Sequence, residues 1–69
     1  MRPGEMKNRL SEIRCNKGWT QAMLARRSGV ARSTITEIEN GNIVNPRINV
    51  AYKLCRALKV DVWDIFFED

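Results

Sequence analysis

Apolar residues recur at intervals of three and four along most of this chain, and no stretch alternates apolar with polar residues at the two-residue period of a half-buried strand. Met6, Leu10 and Ile13 predict a first helix over about 5–16, closed by Lys17 and Gly18. Thr20 is a suitable N-cap for a second helix over 21–28. Gly29, able to take positive φ, breaks the chain there. A third helix is expected over 32–40, ending at Gly41, and residues 42–45 form a loop closed by Pro46. Ile48, Ala51, Leu54, Cys55 and Leu58 mark a fourth helix over 47–58, and Asp61 can cap a last one over 62–67. The fold class this predicts is all-α, with five short helices in one domain spanning 1–69.

Size and composition narrow the chemistry. With 69 residues, 43% of them apolar, the chain can fill one small core but not a core plus a deep pocket, so no small-molecule ligand site is evident. Histidine is absent, which removes an imidazole base, a His metal ligand and a His pH switch. Two cysteines forty residues apart do not make a zinc site, so no metal and no cofactor are expected. The same cysteines are too sparse for a disulfide scaffold, which points to a reducing, cytoplasmic setting. No apolar run approaches the roughly 20 residues that span a bilayer, and residues 1–4 lack an apolar signal core, so no membrane partner is expected. No Gly-rich phosphate loop and no nucleophile–base pair is present, so the chain is not expected to be an enzyme.

Charge is unevenly spread. Up to Thr36 there are eight basic and two acidic residues, net +6; beyond it there are four basic and six acidic, net −2. An anion-facing first half follows, with nucleic acid or a membrane surface as candidates, although a solvated basic surface has the same composition. On the helical period the third helix turns Ala31, Ile35, Ile38 and Glu39 inward and Ser33, Thr36, Glu37 and Asn40 outward, with Arg32 at the edge of the first turn. The outward face holds short or hydrogen-bonding side chains and no hydrophobe. It could lie in a major groove, and equally be an ordinary solvated face. Glu39 on the inward side needs a partner, because an isolated buried charge is costly. Arg14, beside Ile13 on the first helix, is the best-placed cation; otherwise Glu39 reaches water near the helix end.

Gln21-x-x-x-Ala25-x-x-x-Gly29 followed by Val30, Ile35 and Ile38 resembles the helix-turn-helix of the Cro and lambda-type phage repressors, also called the xenobiotic-response-element family. The stretches Ile38-Glu39-Asn40-Gly41, Asn45-Pro46, Leu54 to Val60 and Asp64-Ile65-Phe66 follow the same family, so the resemblance covers about 10–66. It implies a lambda-repressor-like five-helix domain with its helix-turn-helix over about 20–40. It also implies sequence-specific binding of double-stranded DNA by a transcriptional regulator, expected to be a repressor. Carried over residue by residue, it places Arg32, Ser33, Glu37 and Thr36 at the bases. Gln21, Thr20, Arg47 and Asn40 fall at the DNA backbone, and Arg14 and Glu39 form a structural ion pair. Gln21 would also steady a recognition-helix side chain.

Departures from the family pattern are equally specific. Ala31 stands where Ser or Thr usually caps the recognition helix, Ser28 where an apolar residue is usual, and Met23 where a capping-box Glu is common. The loop 42–45 lacks the usual basic residue and leaves Ile43 and Val44 without a DNA role. Trp63 occupies a position that is usually polar. With Phe67 it forms an i,i+4 aromatic pair. A homodimer through the last helix, using Trp63, Phe67 and Val60, on a palindromic operator is therefore expected, although the pair could instead cover the underside of the core. Trp19 is expected in the core, and Cys15 half exposed. The alternative function is an antitoxin-type protein-interaction component that also regulates its own promoter.

Overall fold

The computed structural model describes the backbone of residues 6–68 and the side chains of residues 8–66. Five helices follow one another: α1 (Leu10–Asn16), α2 (Gln21–Ser28), α3 (Arg32–Glu39), α4 (Ile48–Leu58) and α5 (Val62–Ile65). A short ribbon is added to them. Strand β1 (Met6–Asn8) pairs antiparallel with β2 (Phe66–Glu68), in the register Met6 to Glu68 and Asn8 to Phe66.

The ribbon corrects both ends of the helical reading. The first helix starts at Leu10 rather than near residue 5, and the last ends at Ile65 rather than at 67. Asn8 is one physical reason. Its Oδ1 accepts from the Leu10 backbone N–H at 3.1 Å, which starts α1 there, and its Nδ2 donates to the Ile38 carbonyl at 3.0 Å. Arg9 N–H then donates to the Ile65 carbonyl at 2.8 Å, so the two ends of the chain are tied before either helix can extend. Three-residue strands carry too few side chains for their alternation to register in a sequence.

Each helix ends for a local reason. Thr20 caps α2 by accepting from Met23 N–H at 3.1 Å, and Gly29, at φ +77°, ends it in the left-handed region. Ser28, unexpected at its position, accepts from Val30 N–H at 3.1 Å and so satisfies a donor inside the turn between α2 and α3. No side chain caps α3 at Ala31. α4 stops at Lys59, which takes the left-handed conformation (φ 58°) without being glycine.

Leu10, Leu24, Ile35, Ile38, Leu54, Leu58 and Ile65 are fully buried, so every helix contributes to one core. Removing each such side chain from water contributes about 1.5–3 kcal/mol. Ile43 and Val60 pack against this core, which accounts for the loop isoleucine, while Val44 beside it stays exposed. Three sequence placements change. Ile48 is 87% exposed, because it is the first residue of α4 and lies beyond the core's reach. Ala31 is exposed rather than inward, because it precedes the first helical residue of α3 and does not share its period. Trp19 is only partly buried: one side packs on the core and the ring carries the Arg27 guanidinium 4.3 Å from its centroid.

Candidate nucleic-acid interface

α2 and α3 are joined by the tight turn at Gly29 and pack through Leu24, Ile35 and Ile38. With those isoleucines pointing inward, α3 must present its other side to solvent. Arg32, Ser33, Glu37 and Asn40 are exposed there, and Thr34 and Thr36 are half-buried at the borders. The face carries no hydrophobe larger than a threonine methyl group. Arg47, the residue before α4, is exposed and lines a shallow depression together with Thr34 of α3.

A polar network fixes the angle between α1, α2 and α3. Arg14 Nε donates to Glu39 Oε2 at 2.8 Å and Arg14 Nη2 to Glu39 Oε1 at 3.1 Å, a two-pronged pair whose side chains are only 13% and 6% exposed. Arg14 Nη1 donates to the Trp19 carbonyl at 2.7 Å. Gln21 Nε2 donates to Glu39 Oε1 at 3.0 Å, and Gln21 Oε1 accepts from the Thr36 hydroxyl at 3.0 Å. Burial alone would raise the Glu39 carboxyl pKa. The hydrogen bonds from Arg14 and Gln21, with the Arg14 charge, outweigh it and hold the carboxyl below its ordinary value. Glu39 therefore does not reach for water.

Two side chains at this face are engaged by the protein itself. The Thr36 hydroxyl is turned toward Gln21 and toward the Arg32 carbonyl, 3.0 Å away, so its proton is shared between two acceptors within the protein. Glu37 Oε2 accepts from Asn42 Nδ2 at 3.0 Å. The Asn42 contact was not foreseen from the sequence, because it joins a helix to the loop behind it. Asn8 was missed for the same reason, although an asparagine two residues before an apolar-periodic run is itself a helix-start signal.

α4 and α5 border a groove of about 630 Å³, to which α3 contributes no lining residue. Ile48, Tyr52, Val60 and Val62 supply its apolar lining, and Arg56, Lys59, Asp61 and Asp64 its charges. Trp63 is 73% exposed and Tyr52 62%. Trp63 thus does not cover the core, and Val60 is half-buried against it. The side chain of Phe67 lies outside the described residues. Cys15 is exposed rather than half-exposed, Cys55 is buried, and both are free thiols. Among the described residues no helix is long and apolar enough to cross a membrane.

Two helices joined by a tight turn, the second with a polar, unobstructed face, and braced by a largely buried ion pair, define a helix-turn-helix DNA-binding domain. The helix-turn-helix family model matches residues 10–62, and the chain belongs to that family, of the Cro/C1 type. It is a DNA-binding transcriptional regulator. An HTH-type transcriptional regulator of Archaeoglobus fulgidus is 39% identical over 64 residues, covering 93% of this chain and 90% of its own. The crystal structure of the restriction-modification controller protein C.AhdI from Aeromonas hydrophila superposes with a TM-score of 0.75 at 36% identity, over 81% of this chain and 83% of that one. Antitoxin HipB of Escherichia coli is 30% identical over 60 residues, covering 87% of this chain and 67% of the relative.

Proposed function

We propose that the protein is a sequence-specific repressor that binds a palindromic operator as a homodimer, with α3 in the major groove. The observation that carries this reading is the exposed polar face of α3, held at a fixed angle by the Arg14–Glu39–Gln21 network. Arg32, on the first turn, has a guanidinium fork that matches O6 and N7 of guanine. Glu37, further along the same face, can accept from cytosine N4. Ser33 between them is short and permits close approach. Thr36 would contact bases mainly through its methyl group, since its proton is shared inside the protein.

Gln21, Thr20, Asn40 and Arg47 would hold the phosphates, which position the helix without reading sequence. Gln21 has a second amide hydrogen for that role, the first being donated to Glu39. The dimer would form on the α4–α5 face. Tyr52, Ile48 and Val62 line the groove there together with Val60, and Trp63 is exposed on α5 next to Val62 in the chain. Arg56 and Lys59 beside Asp61 and Asp64 give that face both signs of charge, so a two-fold axis could pair them across copies. Recognition helices about 34 Å apart would then read successive turns of one side of the duplex.

Selection from random duplex DNA tests the whole reading: a palindromic motif supports it, and no enriched motif refutes it. Within the selected site, Arg32→Ala should cost about 1–3 kcal/mol and flatten one base position per half-site. Sedimentation of Trp63→Ala should show more monomer with the fold retained, and a wild-type monomer at high micromolar concentration would refute the dimer. Similarity to Antitoxin HipB supports a second reading, an antitoxin-type component that also binds its own promoter. A stable second protein chain accompanying the regulator through purification from its native host would favour that one.

A further inference from the structure

We propose that Asn42 is a specificity-determining positioning residue: it holds the Glu37 carboxylate so that one oxygen faces the groove and selects cytosine. This rests on the reading that α3 enters the major groove with Glu37 at the bases.

Asn42 is itself firmly placed. Gly41, at φ +82°, turns the chain back over the end of α3. The Asn42 and Ile43 backbone N–H groups then both donate to the Glu37 carbonyl, at 2.9 and 3.1 Å, and Ile43 packs against the core. From this anchored backbone the Asn42 amide donates to Glu37 Oε2 at 3.0 Å. The same residue is thus gripped at its main chain and at its side chain by one loop. A carboxylate cannot donate, so the polarity of the contact is settled by chemistry: Nδ2 gives and Oε2 accepts.

The consequence for recognition is specific. An unheld glutamate on an exposed helix face samples several rotamers, and ordering it on binding is unfavourable. Nearby phosphates would also push it out of the groove. Fixing Oε2 on Asn42 removes much of that freedom and leaves Oε1 as a lone acceptor. Cytosine offers N4–H in the major groove with no acceptor on the same base beside it. Guanine presents O6 and N7 and thymine presents O4, all acceptors that repel a carboxylate; adenine offers N6–H but sets N7 next to it. A held carboxylate therefore rejects guanine and thymine more strongly than a mobile one, which can swing away to water.

The test uses wild type, Asn42→Ala, Asn42→Asp, Glu37→Ala and the double variant Glu37→Ala/Asn42→Ala. Sites are selected from random duplex DNA, and binding is then measured for all four bases at each half-site position at fixed salt. Thermal melts confirm that each variant is folded. Asn42→Ala should reduce the preference for cytosine at one half-site position by roughly three- to tenfold, out of the discrimination one good base contact supplies. The other positions and the affinity for random duplex should be unchanged. Asn42→Asp, which sets a like charge against Glu37, should reduce it at least as much. In the Glu37→Ala background the Asn42 substitution should change nothing. A uniform loss over all sequences would make Asn42 a phosphate contact and overturn the proposal. So would an Asn42 effect that persists without Glu37. A site whose preferences Glu37→Ala leaves intact overturns this inference alone, whereas failure to select any site also overturns the DNA-reading function beneath it.

Discussion

Removing Arg14 should damage this domain more than its small size suggests. In Arg14→Ala the Glu39 carboxylate, 6% exposed, keeps only the Gln21 amide, and the Trp19 carbonyl loses its donor. Breaking a buried pair from one side costs about 3–5 kcal/mol, because the surviving charge stays buried and uncompensated. Arg14 is 13% exposed and water can reach its edge, so the lower end of that range, about 3 kcal/mol, is the expected value. For a domain this short each kcal/mol moves the melting midpoint by about 4–8 °C, giving a fall of about 12–24 °C. Glu39→Ala should cost a similar amount, leaving Arg14 without its carboxylate. The two losses should be strongly non-additive, with a coupling of at least about 1 kcal/mol in the double variant. Replacing both by Met should recover most of the loss, since apolar residues of similar volume remove the unpaired charge altogether. Thermal melts of wild type and the four variants at one pH decide it. A shift below about 4 °C for either single variant, less than 1 kcal/mol on the same scale, would refute the claim that buried charge makes this pair costly to break.

Other outcomes follow from individual groups. Glu39 titrates below its ordinary value when folded, so its stabilisation is complete above the unfolded value of about 4.3 and is lost as pH falls through the depressed folded value. Acid melts should show wild type losing stability in that window and Glu39→Gln losing less across it. Lys59 is held at φ 58°, a conformation that costs an L-residue roughly 1–2 kcal/mol; Lys59→Gly should therefore raise stability by up to about 1 kcal/mol, read in urea melts, against glycine's greater chain entropy. Burial, then the charges of Asp61 and Asp64, push the Cys55 thiol up. Alkylation of the native protein followed by mass spectrometry should label Cys15 rapidly and Cys55 only on unfolding.

The helical skeleton was legible in the sequence because its determinants are local. A 3–4 apolar period, Thr20 as a cap and Gly29 and Gly41 as breaks act within one or two turns, so they can be read without knowing what lies opposite. The polar face of α3 was legible for the same reason: once Ile35 and Ile38 are inward, the direction of Arg32, Ser33 and Glu37 follows from 100° per residue. Arg14 could be matched with Glu39 because it lies beside the inward Ile13 on the first helix and the family resemblance pairs these two positions, although the distances of 2.8 and 3.1 Å belong to the fold.

Tertiary structure decided what depends on residues far apart in the chain. The ribbon of β1 and β2 joins positions about sixty residues apart, and its pairing, with the Asn8 bond to Ile38, moved the start of α1 and the end of α5 inward. The period alone could not say whether Ile48 and Tyr52 met a neighbour; among the described residues little covers them, so they stand largely exposed along the α4–α5 groove. Exposure is a property of what packs opposite, and three-residue strands and single hydrogen bonds carry no periodic signal. For that reason the sequence by itself determined the helices and their inward faces. Only the packed chain determined which polar side chains on α3 are free and which, like Thr36 and Glu37, are already held by Gln21 and Asn42.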